Sequence, residues 1–366
     1  MARTNLVSFL YLSTFSTQGG IERFNRSFIY ALCKNSIGPS LFSIYDKEEE
    51  LDLRYASGSI FYGFNRSRVF TTIVIFFRML FNRSDVLFVG HLNFAPIVLL
   101  LKIIRPQLKM VLIAHGIDVW NQTGFLKKLF IQKVDQIWAV SSFTQEKMMA
   151  EYQLPSDKFK LFPNTFDPFI DFSTDISHDL KQRYGIEKGT NVVLTICRIS
   201  SSESYKGYDR VVKAISLMQT TNLCYVLAGK YDEAEKERVL KIAEEYGVSD
   251  RLIFTSFIEE DELISHYKMS DVFIMPSINE GFGIVFLEAI ACGISAIGGN
   301  LDGSRDALAN GKLGVLIDPL SEKQIAEALD TALANQSDGV NLSEEMQKVY
   351  GFEAFAKRQR DYLIED

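Results

Sequence analysis

The chain has 366 residues, and at roughly 100–200 residues per domain this length predicts two domains. Hydrophobic residues make up 47% and charged residues 23%, which is the composition of an ordinary globular protein. The formal net charge of −7 excludes a strongly basic nucleic-acid-binding protein, so no nucleic acid is expected as a partner.

The first half alternates short strand-like runs with helical patterns. Strands are predicted at Leu6–Leu12, Leu41–Tyr45, Ile60–Phe64, Val86–Gly90, Met110–Ala114 and Gln136–Val140. Helices are predicted at Ile21–Lys34, Arg68–Phe81 and Thr144–Tyr152. No small-residue cleavage site follows the N-terminal run, so we do not expect a signal peptide.

The second half repeats this alternation more cleanly. Its strands are predicted at Val192–Ile196, Cys224–Ala228, Leu252–Phe254, Val272–Met275, Ile294–Ile297 and Val315–Ile317. Its helices are predicted at Tyr208–Met218, Glu233–Tyr246, Glu260–Met269 and Glu322–Ala334. Near-continuous apolar strands between helices predict an α/β fold with parallel sheets covered on both faces.

A loop rich in proline and aspartate, Pro163–Ser173, marks the domain boundary. We therefore predict a first domain over residues 1–165 and a second over 166–343. A final amphipathic helix at about 344–366 lies beyond the last strand.

The first domain carries an uneven charge. Between residues 59 and 134 only Asp85 and Asp118 oppose ten basic residues, which are Arg66, Arg68, Arg78, Arg83, Lys102, Arg105, Lys109, Lys127, Lys128 and Lys133. The apolar runs Val69–Phe81 and Phe94–Ile104 are shorter than the roughly 20 residues of a spanning helix. The pattern favours peripheral contact with an anionic membrane; the alternative is a solvated face with aromatic residues in the core.

An anion site is predicted after the strand Val192–Ile196. Arg198 follows this strand directly, and Lys206 and Gly207 stand at the start of the next helix. Ligands of parallel sheets bind at the carboxyl ends of strands, and a helix N-terminus adds its free N–H groups to the two cations. Two cations suit a diphosphate; the alternative is a solvated loop that happens to carry an Arg and a Lys.

A second glycine-rich loop follows the strand Val272–Met275. Glu280 lies in this loop, Gly281 and Gly283 allow close approach of a ligand, and a helix begins near Ile284. Glu288 lies about one turn into that helix. Two acids so placed can bind hydroxyls at opposite ends of one polar ligand, although outside this strand–loop–helix context the pair would be unremarkable.

Two features of the first domain also follow strands. Gly19 and Gly20 open a helix after the first strand, but the full dinucleotide-binding glycine pattern is absent, so no nicotinamide cofactor is indicated. His115 follows the strand Met110–Ala114, where it could face a ligand or serve as a structural histidine. The other histidines, which have no such neighbours in the sequence, are His91, His178 and His266.

The run from Glu280 to Gly293, with Arg198, Lys206 and Gly207 upstream, resembles the signature of the retaining glycosyltransferases with the GT-B fold. More narrowly it is similar to glycosyltransferase family four, which builds bacterial polysaccharides and glycolipids. Further matching segments are Gly19–Arg23, Ala114–Gly116, Pro163–Asn164 and Gly314–Pro319. The resemblance implies two Rossmann-like domains that face each other across a cleft, with the last helix packed back on the first domain.

The resemblance also implies roles for individual residues. Arg198 and Lys206 would bind the donor diphosphate, Glu280 the donor sugar and Glu288 the ribose. His115 would contact the transferred sugar. The remaining donor contacts implied are Gly19, Gly20, Gly281, Phe282, Gly283, Ile284 and Val285. The sequence departs from the family pattern in PNTFD after Phe162 and in Gly298–Leu308, which puts donor contacts by Asp302 or Arg305 in doubt.

The predicted activity is transfer of a hexose from a nucleoside diphosphate sugar to a glycan. The acceptor is expected to be a polyprenol-diphosphate-linked or other glycan in bacterial surface polysaccharide synthesis. The expected location is the inner face of the cytoplasmic membrane. Mannose from a GDP-sugar is weakly favoured, and UDP-sugars are the alternative. No metal motif and no metal-ligand cysteine spacing occur, so neither a metal nor a cofactor is expected. Rival readings are a nucleotide-sugar epimerase, a pyridoxal-dependent phosphorylase and a two-lobed ligand-binding protein.

Overall fold

The computed structural model describes residues 6–65, 68–81, 84–121, 124–172, 180–335 and 339–364. Arg66, Arg83, Ser173, His178 and the side chain of Arg68 lie outside the described residues. Contacts divide the chain into two compact units, which we call the first unit (Met1–Phe169 with Tyr350–Asp366) and the second unit (Ile170–Val349). The division falls at Phe169 and Tyr350, a few residues beyond the boundaries predicted at 165 and 343.

The first unit contains a seven-stranded parallel sheet. Its strands are β1 (Val7–Tyr11), β2 (Ser40–Ser43), β3 (Ile60–Gly63), β4 (Val86–Val89), β5 (Lys109–Ala114), β6 (Gln136–Ala139) and β7 (Phe159–Leu161). The strand order is β3-β2-β1-β4-β5-β6-β7, with Phe9 of β1 opposite both Leu41 and Phe88. β7, which we did not predict, adds a short strand at the edge beside β6.

Helices connect these strands as right-handed crossovers require. They are α1 (Gly20–Lys34), α2 (Leu53–Ala56), α3 (Arg68–Phe81), α4 (Ala95–Ile104), α5 (Phe125–Lys133) and α6 (Ser142–Tyr152), with 3₁₀ turns at Glu48–Glu50, Leu92–Phe94 and Ser156–Lys158. α1 buries Phe28 against Phe88, with ring centroids 4.9 Å apart, and Trp138 lies 4.9 Å from the same Phe88 ring. This aromatic core fixes α1 on the centre of the sheet.

The second unit contains a six-stranded parallel sheet of order β10-β9-β8-β11-β12-β13. Its strands are β8 (Asn191–Ile196), β9 (Leu223–Ala228), β10 (Leu252–Phe254), β11 (Val272–Met275), β12 (Ser295–Gly299) and β13 (Val315–Ile317). Its helices are α7 (Leu180–Arg183), α8 (Tyr208–Ile215), α9 (Glu233–Glu245), α10 (Leu263–Lys268), α11 (Ile284–Ala291), α12 (Ser304–Ala307), α13 (Glu322–Ala334) and α14 (Gly339–Tyr350), with 3₁₀ turns at Ser201–Lys206, Ser249–Arg251 and Ala309–Gly311.

The predicted final helix is two helices. α14 ends at Tyr350 and α15 (Phe352–Ile364) follows after Gly351, so one continuous helix from residue 344 was wrong. α15 packs on α1, where Gln359 Nε2 donates to the carbonyl oxygen of Phe28 at 2.9 Å and Asn35 Nδ2 donates to that of Ala356 at 3.0 Å. The carbonyl oxygen of Gly351 accepts a hydrogen bond from the Phe355 N–H at 3.1 Å, which closes the first turn of α15.

The two parallel sheets with interleaved helices confirm the predicted α/β, doubly wound architecture. Within the described part of the chain, no helix combines the length and the apolarity that crossing a bilayer requires.

Candidate functional site

The strand order of the second unit reverses between β8 and β11, which lie side by side at its centre. Val193 of β8 pairs with Val272 of β11, so the carboxyl ends of both strands meet at one edge. In open parallel sheets, ligands bind outside the carboxyl ends at such a reversal. The segments that follow these two strands carry the predicted residues Arg198 and Glu280.

Three charged side chains meet in the segment after β8. Glu203 lies between two cations: its Oε1 is 3.3 Å from Arg198 Nη1 and its Oε2 is 3.0 Å from Lys206 Nζ. The Arg198 side chain is 66% exposed, whereas that of Lys206 is only 16% exposed. Burial alone would lower the pKa of Lys206, but the negative charges around it, led by Glu280, raise this pKa above its ordinary value. Lys206 is therefore a cation at every physiological pH.

The turn that carries Lys206 is attached to the end of β11. Gly207 has a φ of 79°, and a Cβ there would clash with the carbonyl oxygen of Pro276. Arg210 Nη2 donates to that same oxygen at 2.7 Å, and the Ile278 N–H donates to the carbonyl oxygen of Tyr205 at 3.1 Å. Only glycine permits this approach, which places Lys206 beside the loop that contains Glu280.

A buried aspartate shapes the loop after β11. Asp302 Oδ2 accepts from the backbone N–H of Glu280 and from the hydroxyl of Ser277, both at 2.6 Å. Its Oδ1 accepts from the Ser304 N–H at 3.0 Å. Asp302 has no exposed surface, and burial raises its pKa to about 6 despite these hydrogen bonds. Asp302 thus fixes the backbone from which the Glu280 side chain projects.

The predicted helix begins where expected, because α11 starts at Ile284. Gly283 precedes it with a φ of 90°, and no side chain caps this end. The first N–H groups of a helix have no intrahelical acceptor and attract anions. Phe282 and Ile284 are buried and Val285 is half-buried, so these residues offer their backbone more than their side chains.

Glu288 lies apart from these groups. Its side chain has no exposed surface, and Oε2 accepts from the hydroxyl of Tyr267 at 2.9 Å. The structure therefore places one carboxylate of the predicted pair at the loop and the other inside the unit.

In the first unit, a second buried aspartate shapes the glycine loop. Asp46, which has no exposed surface, accepts from the backbone N–H groups of Thr14 at 2.9 Å and Ser16 at 3.0 Å and from the hydroxyl of Ser43 at 2.8 Å. Gly19 precedes α1 in an extended conformation, and Gly20 is its first residue. Asp46 thereby fixes the loop that leads from β1 to the two predicted glycines.

His115 lies beside this helix and beside a second histidine. Its ring is edge-on to Phe24 of α1, with centroids 4.8 Å apart, and its Nε2 is buried without a hydrogen-bond partner among the described residues. Burial, and next the charge of His91, lowers the pKa of His115 to about 3; burial and Lys127 lower that of His91 to about 4. The sequence analysis did not predict that His91 influences His115; β4 and β5 are adjacent, and His91 and His115 follow their ends by two residues and one residue.

Residues 177–349 match the family model described as "Glycosyl transferases group 1", a range that includes Arg198, Lys206, Glu280 and Glu288. The match covers slightly less than half of the chain, and we call the matched segment the group 1 domain.

Curated proteins named as mannosyltransferases are similar to this chain. The chain is 28% identical over 213 residues to the serotype-specific mannosyltransferase WbdA of Escherichia coli, a match that covers 56% of this chain and 25% of WbdA. It is 27% identical over 276 residues to the GDP-mannose-dependent alpha-(1-6)-phosphatidylinositol monomannoside mannosyltransferase of Mycobacterium tuberculosis, covering 69% of this chain and 68% of that protein. The chain thus spans only a quarter of the length of WbdA.

The fold extends the likeness beyond the group 1 domain. The structure of Anabaena HepE in complex with UDP and glucose matches with a TM-score of 0.79 at 15% identity, covering 98% of this chain and 100% of HepE. The fold is therefore GT-B, as predicted, with two Rossmann-like units.

The structure distributes the predicted residues over both units. Eight of them lie in or beside the two connected loops of the group 1 domain: Arg198, Lys206, Glu280, Gly281, Phe282, Gly283, Ile284 and Val285. Gly19, Gly20 and His115 lie in the first unit.

The sequence analysis missed the residues that position this site. Glu203 could have been found as an acid three residues before Lys206 in a polar loop. Asp302 and Asp46 were hidden, because each acts on backbone N–H groups more than 20 residues away in the chain.

Proposed function

We propose that this chain is a retaining glycosyltransferase that moves a hexose from a nucleoside diphosphate sugar onto a glycan acceptor. The observation that carries the proposal is the position of Arg198 and Lys206 in a loop that is hydrogen-bonded to the segment between β11 and α11, at the strand reversal of the group 1 domain. Positive side chains and free N–H groups at one sheet edge form a site for a diphosphate.

The same groups stabilise the leaving group of the reaction. As the bond between the sugar C1 and the diphosphate oxygen breaks, negative charge develops on the phosphates. Lys206 and Arg198 stabilise this charge, and the donor replaces Glu203 as their partner. The acceptor oxygen forms the new bond to C1, and its proton passes to the departing phosphate. We propose that these steps need no metal ion and no cofactor.

Glu280 is proposed to hold the donor sugar. Its backbone is fixed by Asp302, and its charge is felt by Lys206, so the carboxylate lies close to the diphosphate position. A carboxylate there accepts hydrogen bonds from sugar hydroxyls. Glu288, bonded to Tyr267 inside the unit, would reach a ribose only by exchanging that hydrogen bond.

The first unit is proposed to bind the acceptor. His115 is neutral and partly exposed, and its buried Nε2 has no hydrogen-bond partner within the described residues. A neutral imidazole suits a sugar hydroxyl better than it suits a phosphate. Gly19 and Gly20 keep the start of α1 free of side chains, so a ligand could approach the backbone there.

The donor is proposed to be GDP-mannose, because WbdA and the mycobacterial relative are both named as mannosyltransferases. A UDP-sugar is the second candidate, favoured by the UDP and glucose bound in HepE. The acceptor is proposed to be a polyprenol-diphosphate-linked oligosaccharide of a bacterial surface polysaccharide. The chain would then work as a peripheral protein at the inner face of the cytoplasmic membrane.

The test is a transfer assay with GDP-mannose, UDP-glucose, UDP-galactose and UDP-N-acetylglucosamine, each with a lipid-linked acceptor in the presence of EDTA. We expect one donor to be consumed only when acceptor is present, and NMR of the product to show the anomeric configuration of the donor. Conversion of a donor to its isomer without acceptor would instead identify an epimerase. No consumption of any donor by the wild type, or an inverted product, would contradict the proposal.

A further inference from the structure

Three helices of the first unit form a layer on one side of its sheet. α3 packs against α4, and α4 packs against α5, whereas α1 contacts α2 and α15. Arg105, just after α4, donates to the carbonyl oxygens of Met79 at 2.7 Å and Ser84 at 2.8 Å. These bonds hold the C-terminal ends of α3 and α4 side by side.

Large apolar side chains are exposed along these two helices. Ile73, Phe77 and Phe81 recur every four residues on α3, and Phe81 is 79% exposed. On α4, Leu100, Ile103 and Ile104 are exposed, with Ile103 at 78%. A spacing of four residues places side chains on one line of a helix. We call these six residues the α3–α4 patch.

An apolar groove continues the patch toward the edge of the sheet. It has a volume of about 560 Å³ and is lined by Ser40, Phe42, Ile60, Tyr62, Phe77, Arg78 and Phe81. The guanidinium of Arg78 lies 4.2 Å from the centre of the Tyr62 ring. The groove therefore joins an apolar lining to a single positive charge.

The charge of this layer is opposite to that of the whole chain. α3, α4 and α5 contain no Asp or Glu, and their basic residues are Arg68, Arg78, Lys102, Lys127, Lys128 and Lys133. The chain as a whole has a net charge of −7. A second copy of this chain would bring like charges together across such a face. An anionic lipid surface, by contrast, matches both the apolar side chains and the cations.

We propose that the α3–α4 patch docks on an anionic lipid bilayer. Phe77, Phe81 and Ile103 enter the boundary between headgroups and acyl chains, and the neighbouring cations contact lipid phosphates. The inference rests on the proposed function for its membrane location and names the surface responsible. Its test needs neither donor nor acceptor, so the two proposals fail separately.

The test is co-sedimentation with vesicles of phosphatidylglycerol and, in parallel, of phosphatidylcholine. We expect the wild type to bind phosphatidylglycerol vesicles and to be released by high salt. The variant F77S/F81S/I103S should bind at least about tenfold more weakly, because each substitution removes a large apolar side chain from the bilayer. The matched control is L53S/L217S/L320S, which removes three exposed leucines outside the patch and should bind as the wild type does.

A second measurement covers a patch variant that folds poorly. In Phe81→Trp the apolar character is kept, and the two native tryptophans, Trp120 and Trp138, are buried. Phosphatidylglycerol vesicles should shift the emission of this variant to shorter wavelength. The proposal is overturned by equal binding of wild type and patch variant, by no binding of the wild type, by an unshifted emission, or by a dimer in light scattering that the patch variant abolishes.

Discussion

In each unit a buried aspartate holds a loop that follows a strand, but the charged groups around the two loops differ. In the first unit Asp46 holds the loop after β1, and in the second Asp302 holds the loop after β11. Both aspartates are fully buried and accept hydrogen bonds from backbone N–H groups. The second loop lies beside Lys206, whereas the first unit offers a histidine whose pKa is lowered to about 3.

We propose that this difference determines which ligand each unit binds. A buried carboxylate that accepts hydrogen bonds from backbone N–H groups fixes the conformation of a loop, whichever ligand the loop binds. The side chains around the loop then set its chemistry: permanent cations favour the diphosphate of a donor, and neutral hydrogen-bonding groups favour the hydroxyls of an acceptor. The following experiments separate these two roles.

The largest effect is expected from Lys206→Ala. Loss of the buried cation removes roughly 3–4 kcal/mol of charge stabilisation and should slow turnover about 10²–10³-fold. The control is Lys213→Ala, which removes a cation of α8 that pairs with Glu322 at 3.6 Å, and turnover should stay normal. Steady-state transfer assays measure both, and near-normal turnover in the Lys206 variant would refute its role.

A smaller effect is expected from Asp302→Asn. An asparagine offers only one oxygen, so its amide nitrogen would face the N–H of either Glu280 or Ser304 and leave a buried donor without an acceptor, at a cost of about 1–3 kcal/mol. Because Glu280 then loses its position, kcat should fall roughly 10–100-fold while the affinity for the free nucleoside diphosphate changes little. A loss of nucleotide affinity equal to the loss of kcat would show that Asp302 supports the whole unit rather than Glu280.

Asp46→Asn should act on the first unit alone. The Thr14 N–H donates to both carboxylate oxygens, at 3.2 and 2.9 Å, so the amide nitrogen of the variant would face this donor in either orientation. The free energy of unfolding should therefore fall by about 1–3 kcal/mol, which corresponds to a few degrees in Tm. The KM for the acceptor should rise, and nucleotide binding should stay unchanged. Calorimetry of unfolding together with acceptor titration tests this, and a weakened nucleotide affinity would contradict the separation of roles.

The smallest effect concerns pH. The pKa values of His91 and His115 are lowered to about 4 and about 3, so both rings should be neutral throughout the range of activity. The unfolded chain binds these protons near pH 6.5, so the stability that the two rings contribute is complete above pH 6.5 and is lost as the pH falls toward 3.

NMR of the ring protons measures this directly. A thermal melt would also report the protonation of Asp118, because burial raises the pKa of Asp118 to about 7 and its effect on the pH dependence of stability has the opposite sign. Titration of either histidine near 6.5 would show that the first unit is not a neutral site.

The sequence predicted most strands and the two loops that carry the candidate site residues, because buried parallel strands are continuous apolar runs and because glycines mark the loops. Five elements, α3, β10, β11, β13 and α13, have the bounds predicted for them. The break at Gly351 was missed because a single glycine gives little periodic signal, and the edge strand β7 was missed because Lys160 interrupts its short apolar run. The roles of Asp302 and Asp46 and the nearness of His91 to His115 could not be predicted from spacing, because contacts across strands depend on the sheet order. Glu203, by contrast, lies three residues before Lys206 and was overlooked.

The most direct test of the account is calorimetric titration of the wild type and of Lys206→Ala with the nucleoside diphosphate and the monophosphate of the donor base, in EDTA. The account predicts saturable binding to the wild type, with the diphosphate favoured roughly 10–100-fold, and loss of most of this preference in the variant. Equal affinity of the wild type for both nucleotides, or a preference that survives the loss of Lys206, would contradict it.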